Sequence, residues 1–217
     1  MSNPAAPKIL NDIVAALSTA NINAVTDDDE GRVNSKKDEA NVINWLLKNK
    51  KFKNSVRPVA LRQFGDLIVT DEKGVDHYVN IKTSSGGSDN AFSKLGFLWA
   101  FTDLPIEKLP KSISNKKWFE LITKHKKDVG RDYWFLSLDK SDMNNVTLRG
   151  VKQVENWAKN PTNNLQINWR KEHDTKVKKY TFEQAWNRVI IDGVLFCWEK
   201  YCDSMLEGIK YRNAYKK

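Results

Sequence analysis

Asp66, Asn80 and Lys82 are three side chains whose types and spacing suit the hydrolysis of a phosphodiester bond. Alternate side chains of a strand share a face, so Asn80 and Lys82 project together while Ile81 turns to the core. A carboxylate beside carbonyl oxygens can hold Mg2+, a hard ion that prefers oxygen ligands and keeps several waters. Such a metal polarises the phosphate and activates water. A lysine next to it can orient or deprotonate the attacking water and offset the charge that builds on phosphorus.

Positioning these groups requires a hairpin. Ala60 to Thr70 and Asp76 to Thr83 carry β-type residues, and Asp71, Glu72, Lys73 and Gly74 between them carry turn chemistry. A loop of four or five residues pairs Thr70 with Val75 or Asp76, which sets Asp66 across from Val79 or Asn80.

Around the hairpin, helical spacing of Ile9, Leu10, Ile13, Val14 and Leu17 predicts a helix within Ala5 to Ala20. A second helix is expected from about Lys36 to Asn49, with Ser35 as N-cap and Glu39 in its first turn. Thr83 to Ser88 reads as a loop, after which Ser88 or Asp89 caps a helix reaching about Phe101. A helix around Trp118, strands at Tyr133 to Leu138 and Val146 to Val151, and a short strand through Leu165, Ile167 and Trp169 follow. Thr181 with Gln184 forms a capping box for a last helix reaching about Ile209, which Gly193 breaks or kinks. The fold class is α/β, a central mixed β-sheet with the hairpin, flanked by helices. The chain reads as a single domain over 1–217, with a catalytic core at about 36–150 and a C-terminal loop and helix at about 151–217.

Composition narrows the partners. Lys and Arg number 36 against 27 Asp and Glu, a formal charge of +9 that favours a polyanion, nucleic acid first; the plainer account is a basic surface that maintains solubility. Hydrophobic residues are 40% of the chain, enough for a core and too many for a disordered protein. No stretch approaches the ~18 apolar residues of a membrane span, and Met1 to Leu10 lacks the apolar region of a signal peptide. Cys197 and Cys202 are poorly spaced for a disulfide within one helix, and no Cys/His cluster suits zinc, so a reducing cytoplasmic location is expected. His77, His125 and His173 show no metal-ligand spacing.

Asp66 before a hairpin, with Asn80, Ile81, Lys82 and Thr83 after it, resembles the core of the PD-(D/E)XK nucleases, especially their type II restriction endonucleases. The resemblance covers roughly residues 39–101. It implies a restriction-endonuclease-like fold with a catalytic hairpin. It also implies a cytoplasmic, Mg2+-dependent homodimer, with Mn2+ able to substitute, that cuts both strands of a short palindromic site in double-stranded DNA. A cognate DNA methyltransferase belongs to such a restriction-modification system. The implied catalytic residues are Asp66, Asn80, Lys82 and Glu39, and the implied metal ligands are Asp66, the Ile81 carbonyl, Asn80 and Glu39. Gly65 stands where the family has proline, and Asn80 where it has a second acid. Asparagine keeps a carbonyl oxygen but removes a negative charge. Glu39, on the preceding helix, is the candidate replacement acid, with Asp38 and Asp76 as alternates.

Candidate DNA contacts are Thr83, Ser84, Ser85 and Asn90 after the hairpin, and Asn163, Asn164, Gln166, Asn168, Arg170 and Lys171 in the late polar stretch. Asn and Gln pair with adenine and Arg with guanine in the major groove; an ordinary solvated loop is the competing account. Trp169, one of eight tryptophans, is assigned to core packing. Two other functions fit the same residues: a monomeric nicking or repair nuclease, and a non-catalytic DNA-binding module in which Asn80 marks a lost acid.

Overall fold

In the computed structural model, which describes residues 3–25, 31–59, 64–85, 87–110, 112–160 and 164–214, a five-stranded mixed sheet forms the centre. Its order is β1 (Val56–Pro58), β2 (Leu67–Thr70), β3 (Asp76–Ser84), β5 (Tyr133–Asp139) and β6 (Asp142–Gly150). All neighbours are antiparallel except β3 and β5, whose parallel pairing requires a crossover connection. That crossover contains α3 (Lys94–Phe101) and α4 (Asn115–Lys124).

Period-two alternation sends the strands' side chains into two cores. Val79, Ile81, Trp134, Leu136 and Leu138 enter one, against Leu10, Ile13, Val14 and Leu17 of α1 (Lys8–Leu17) and Val42 and Leu46 of α2 (Gly31–Lys48). Tyr78, Tyr133 and Phe135 enter the other, with α3, α4 and the C-terminal elements. The second core joins the big sheet to a small antiparallel one, ordered β4 (Ser88–Asn90), β8 (Asn164–Asn168), β7 (Trp157–Asn160). Leu165, Ile167 and Trp169 fill it, and Trp169 is 1% exposed, as expected of a core tryptophan.

Several boundaries differ from the sequence reading. α2 begins at Gly31, so Ser35 lies inside the helix rather than at its cap. Ser88 and Asp89 extend along β4 because β8 supplies a partner strand, and Ser93 instead caps α3, its hydroxyl accepting the Gly96 N–H at 3.1 Å. Trp169 opens the short helix α5 (Trp169–His173) rather than extending its strand. The Thr181–Gln184 capping box is present, with both reciprocal bonds, on α6 (Phe182–Trp186). A π-helical stretch, Asn187–Leu195, joins α6 to α7 (Phe196–Ala214) and contains Gly193, where a Cβ would come within 2.9 Å of Leu165. Among the described residues, no helix is long and apolar enough to cross a membrane.

Candidate active site

The hairpin loop holds Asp71 to Val75, so Thr70 pairs with Asp76 and Leu67 with Val79. The paired register ends at Leu67 and Val79, and the Asp66 N–H also turns to the Val79 carbonyl instead of carrying the ladder on to Asn80. β2 stops at Leu67, whereas β3 continues to Ser84, so among the described strands one edge of residues 80–84 is open.

A local device delivers Asp66 to that edge. Gly65 has a φ of 82°, which favours glycine, and a Cβ there would meet the Val79 carbonyl oxygen at 3.0 Å. The chain can therefore approach closely enough for the Asp66 N–H to donate to the Val79 carbonyl at 2.8 Å. The Asp66 carboxylate Oδ2 accepts the Ile81 N–H at 2.7 Å. The N–H and C=O of a strand residue point to the same side, so the Ile81 carbonyl faces the same open edge.

Lys82 shares Asn80's face of β3, yet its Nζ lies 3.6 Å from Oε1 of Glu39 on α2, which packs on the other face. The pair thus spans the sheet edge, with side chains 24% and 22% exposed. Burial raises the Glu39 carboxyl above its ordinary pKa; Lys82 opposes the rise, and the charges of Asp66 and Asp89 add to it. Burial likewise raises Asp66, against the Ile81 N–H and Lys82. Behind them burial pushes the Tyr133 hydroxyl upward, with the Asp66 charge adding to the rise and the side chains of Ser93 and Asn80 opposing it. Gly96 makes room for its ring, since a Cβ there would lie 2.8 Å away. Asn80 Oδ1 and Asp89 Oδ2 are buried and have no hydrogen-bond partner among the described residues.

The two alternates to Glu39 are committed elsewhere. Asp38 is fully buried, accepts the Val25 N–H at 2.7 Å and lies 3.4 Å from Lys140 Nζ. Asp76 sits at the far end of the hairpin, bonded to Arg57 and Thr70. Among the described residues no group of three or more His, Cys, Asp or Glu could hold a metal, so Glu39 and Asp66 do not complete an all-acidic cage. Lys82 is the ion-pair partner the structure gives Glu39.

Of the expected DNA contacts, Thr83 and Ser84 belong to β3 rather than to a loop, because β5 pairs with them. Both are buried, and the Thr83 hydroxyl donates to the Ser35 carbonyl at 3.4 Å. The loop starts at Ser85, which is exposed. Thr83, Ser84, Asp89 and Lys140 help line a cleft of about 350 Å³ beside it. Asn90, Gln166 and Asn168 lie on the small sheet with the backbone of Asn164; Arg170 and Lys171 are exposed on α5; Asn163 lies outside the described residues.

Sequence reasoning missed Asp89, which it treated as a helix cap, and Tyr133, which it treated only as part of a strand. Neither carries a local motif, since β8 and β5 place them. Each of the three histidines contacts a neighbouring side chain: His77 is 3.1 Å from Asp71, His125 is 3.4 Å from Asp103, and His173 contacts Thr147 at 2.8 Å. Cys197 and Cys202 are free thiols, the first buried and the second exposed. No family model, curated protein or solved structure matches the chain. The site's chemistry stands on its own residues.

Proposed function

We propose that the chain is a Mg2+-dependent deoxyribonuclease of the type II restriction class, acting as a homodimer on a short palindromic site in double-stranded DNA. The observation that supports this reading is the Asp66 carboxylate bonded to the Ile81 N–H and in charge range of Lys82, which pairs with Glu39, with the buried oxygen of Asn80 on the neighbouring residue of the same strand. The donor set suits Mg2+, which needs oxygens and retains waters. Asp66 supplies the charge, Asn80 Oδ1 is a buried oxygen without a partner among the described residues, and the Ile81 carbonyl faces the same strand edge as the Ile81 N–H. An amide and a main-chain carbonyl would thus do part of the work that a second carboxylate does elsewhere. When bound, the ion supplies Lewis-acid polarisation of the phosphate.

The chain's own groups do the rest. Lys82 orients the attacking water and offsets charge on phosphorus as the water oxygen bonds to it and the bond to the 3′ oxygen breaks. The products are a 5′-phosphate and a 3′-hydroxyl, the latter formed as the departing oxygen takes a proton. Glu39 is a positioning residue, holding the Lys82 ammonium at the edge. A methyltransferase of the same specificity would protect the host's own sites.

The test is incubation with unmethylated phage DNA and Mg2+, alongside Lys82→Ala. Discrete fragments that Lys82→Ala fails to produce, with a rate loss of about a thousandfold or more, support the reading. Undiminished cutting by Lys82→Ala removes Lys82 from the chemistry. Nicks by a monomer indicate a repair nuclease instead. Intact DNA that is nonetheless bound with a steep salt dependence indicates a binding module, the alternative that Asn80 itself favours.

A further inference from the structure

The outward face of the small sheet is built from neutral hydrogen-bonding side chains. In β8, Leu165 and Ile167 turn into the core, which leaves Gln166 and Asn168 on the opposite face. Strand pairing then brings Asn90 beside Gln166 and Ser88 beside Asn168, with Ala158 of β7 on the far side of Gln166. Ser88 and Asn90 are exposed, and Gln166 and Asn168 are half-buried. Residues that lie far apart in sequence, and that composition alone would assign to two separate loops, thus share one surface.

The amides on this face differ in what they still offer. Asn90 Oδ1 accepts the Phe92 N–H at 3.1 Å, and Asn168 Oδ1 accepts the Lys171 N–H at 3.2 Å as the cap of α5. Each retains its NH2 donor, and its oxygen already has one lone pair engaged with the backbone. Gln166 makes no side-chain hydrogen bond among the described residues, so it keeps both a donor and an acceptor, beside an alanine too small to block it. An intact carboxamide matches one base edge best: adenine, which presents N7 as acceptor and N6 as donor in the major groove. Exposed Arg170 and Lys171 follow at once, suited to flanking phosphates. The same small sheet borders the end of β3, since Asp89 of β4 lines one cleft with Thr83 and Ser84.

We infer that Gln166 reads an adenine in the major groove of bound duplex DNA, with Asn90 and Asn168 donating to acceptors on either side. This deepens the nuclease reading and rests on it for the substrate class. Selection from a random duplex library by the full chain without divalent metal tests it, because binding is then read apart from cleavage. The wild-type chain enriches a motif containing adenine. Gln166→Ala relaxes preference at that one position by about 10- to 100-fold and leaves the others intact. Gln166→Glu moves the preference toward cytosine, whose N4 amino group donates to a carboxylate. Arg170→Ala with Lys171→Ala weakens all sequences alike and lowers the salt slope by about two.

Both Gln166 variants enriching the wild-type motif overturns the inference, as does a wild-type chain that enriches no motif. Unchanged thermal midpoints for the variants exclude unfolding as the cause of a lost preference. The selected motif is then incubated with Mg2+. A motif bound but never cut overturns the nuclease reading and leaves Gln166's role in place, whereas cutting without sequence preference does the reverse.

Discussion

Two acid–base pairs, one on the outer strand β6 and one on the middle strand β3 of the central sheet, are finished to different degrees. Arg149 on β6 and Glu172 on α5 meet at 2.7 Å and are 6% and 0% exposed. Glu172 also accepts the N–H groups of Glu155 and Asn156 at 3.2 and 2.9 Å and the Asn156 amide at 2.9 Å. Arg149 donates further to the carbonyls of Leu148, Glu172 and Thr175. The Lys82–Glu39 pair is longer, at 3.6 Å, and more exposed, beside a carboxylate raised by burial and an amide oxygen with no partner among the described residues. A buried polar network holds a fold when every lone pair is used; one with oxygens to spare has capacity for a ligand.

This contrast is sharpest when one partner is removed from each pair. Glu172→Ala strands a buried guanidinium and should cost about 3–5 kcal/mol, lowering the thermal midpoint by roughly 10 °C in a melt followed by circular dichroism. Glu39→Ala in the same melt should move it far less, because Lys82 can turn to water. Equal losses would mean that the two pairs do the same structural job.

Asn80→Asp sharpens the comparison from the other side. It restores a second charge beside Asp66, so the Mg2+ needed for half-maximal cleavage should fall on the order of tenfold, read by titrating metal in the cleavage assay. The metal-free variant should melt lower than the wild type and recover on Mg2+ addition, since like charges at one buried edge repel until a cation joins them. An unchanged metal requirement would place Asn80 outside the cation's reach.

The smallest effect concerns pH. Burial holds the Asp66 carboxyl above its ordinary 3.8, so the folded chain retains a proton that the unfolded chain has lost. Stability therefore falls as pH rises from the unfolded value through the raised folded one. Asp66→Asn removes that loss while still offering an oxygen to the Ile81 N–H. It should be more stable at pH 7 by about 1 kcal/mol, an advantage that vanishes in melts below about pH 4 and accompanies loss of cleavage.

The hairpin register illustrates how much was legible beforehand. Turn chemistry at Asp71 to Gly74 and the alternation on either side restricted Asp66 to facing Val79 or Asn80, and the Asp71 carboxylate, which accepts the N–H groups of Lys73 and Val75 at 2.9 Å each, helps set the loop that pairs Thr70 with Asp76 and brings the Asp66 N–H to the Val79 carbonyl. The capping box at Thr181 was equally local. Ser88 to Asn90 was misread as a helix start for the opposite reason: its strand form depends on β8, far along the chain. Among the described strands, the unpaired edge of residues 80–84 was likewise invisible, since it depends on where β2 stops.

Local patterns of charge, turn residues and alternating apolar positions determined that this chain makes amphipathic helices and a hairpin carrying an acid, an amide and a lysine, because backbone preference and side-chain direction are properties of neighbours in sequence. Tertiary structure alone decided that Glu39 reaches Lys82 around a strand edge, that Tyr133 backs Asn80, and that Asn90 shares a face with Gln166. Those contacts come from strand pairing and layer packing, in which burial of apolar surface joins segments with no mark in the sequence of one another.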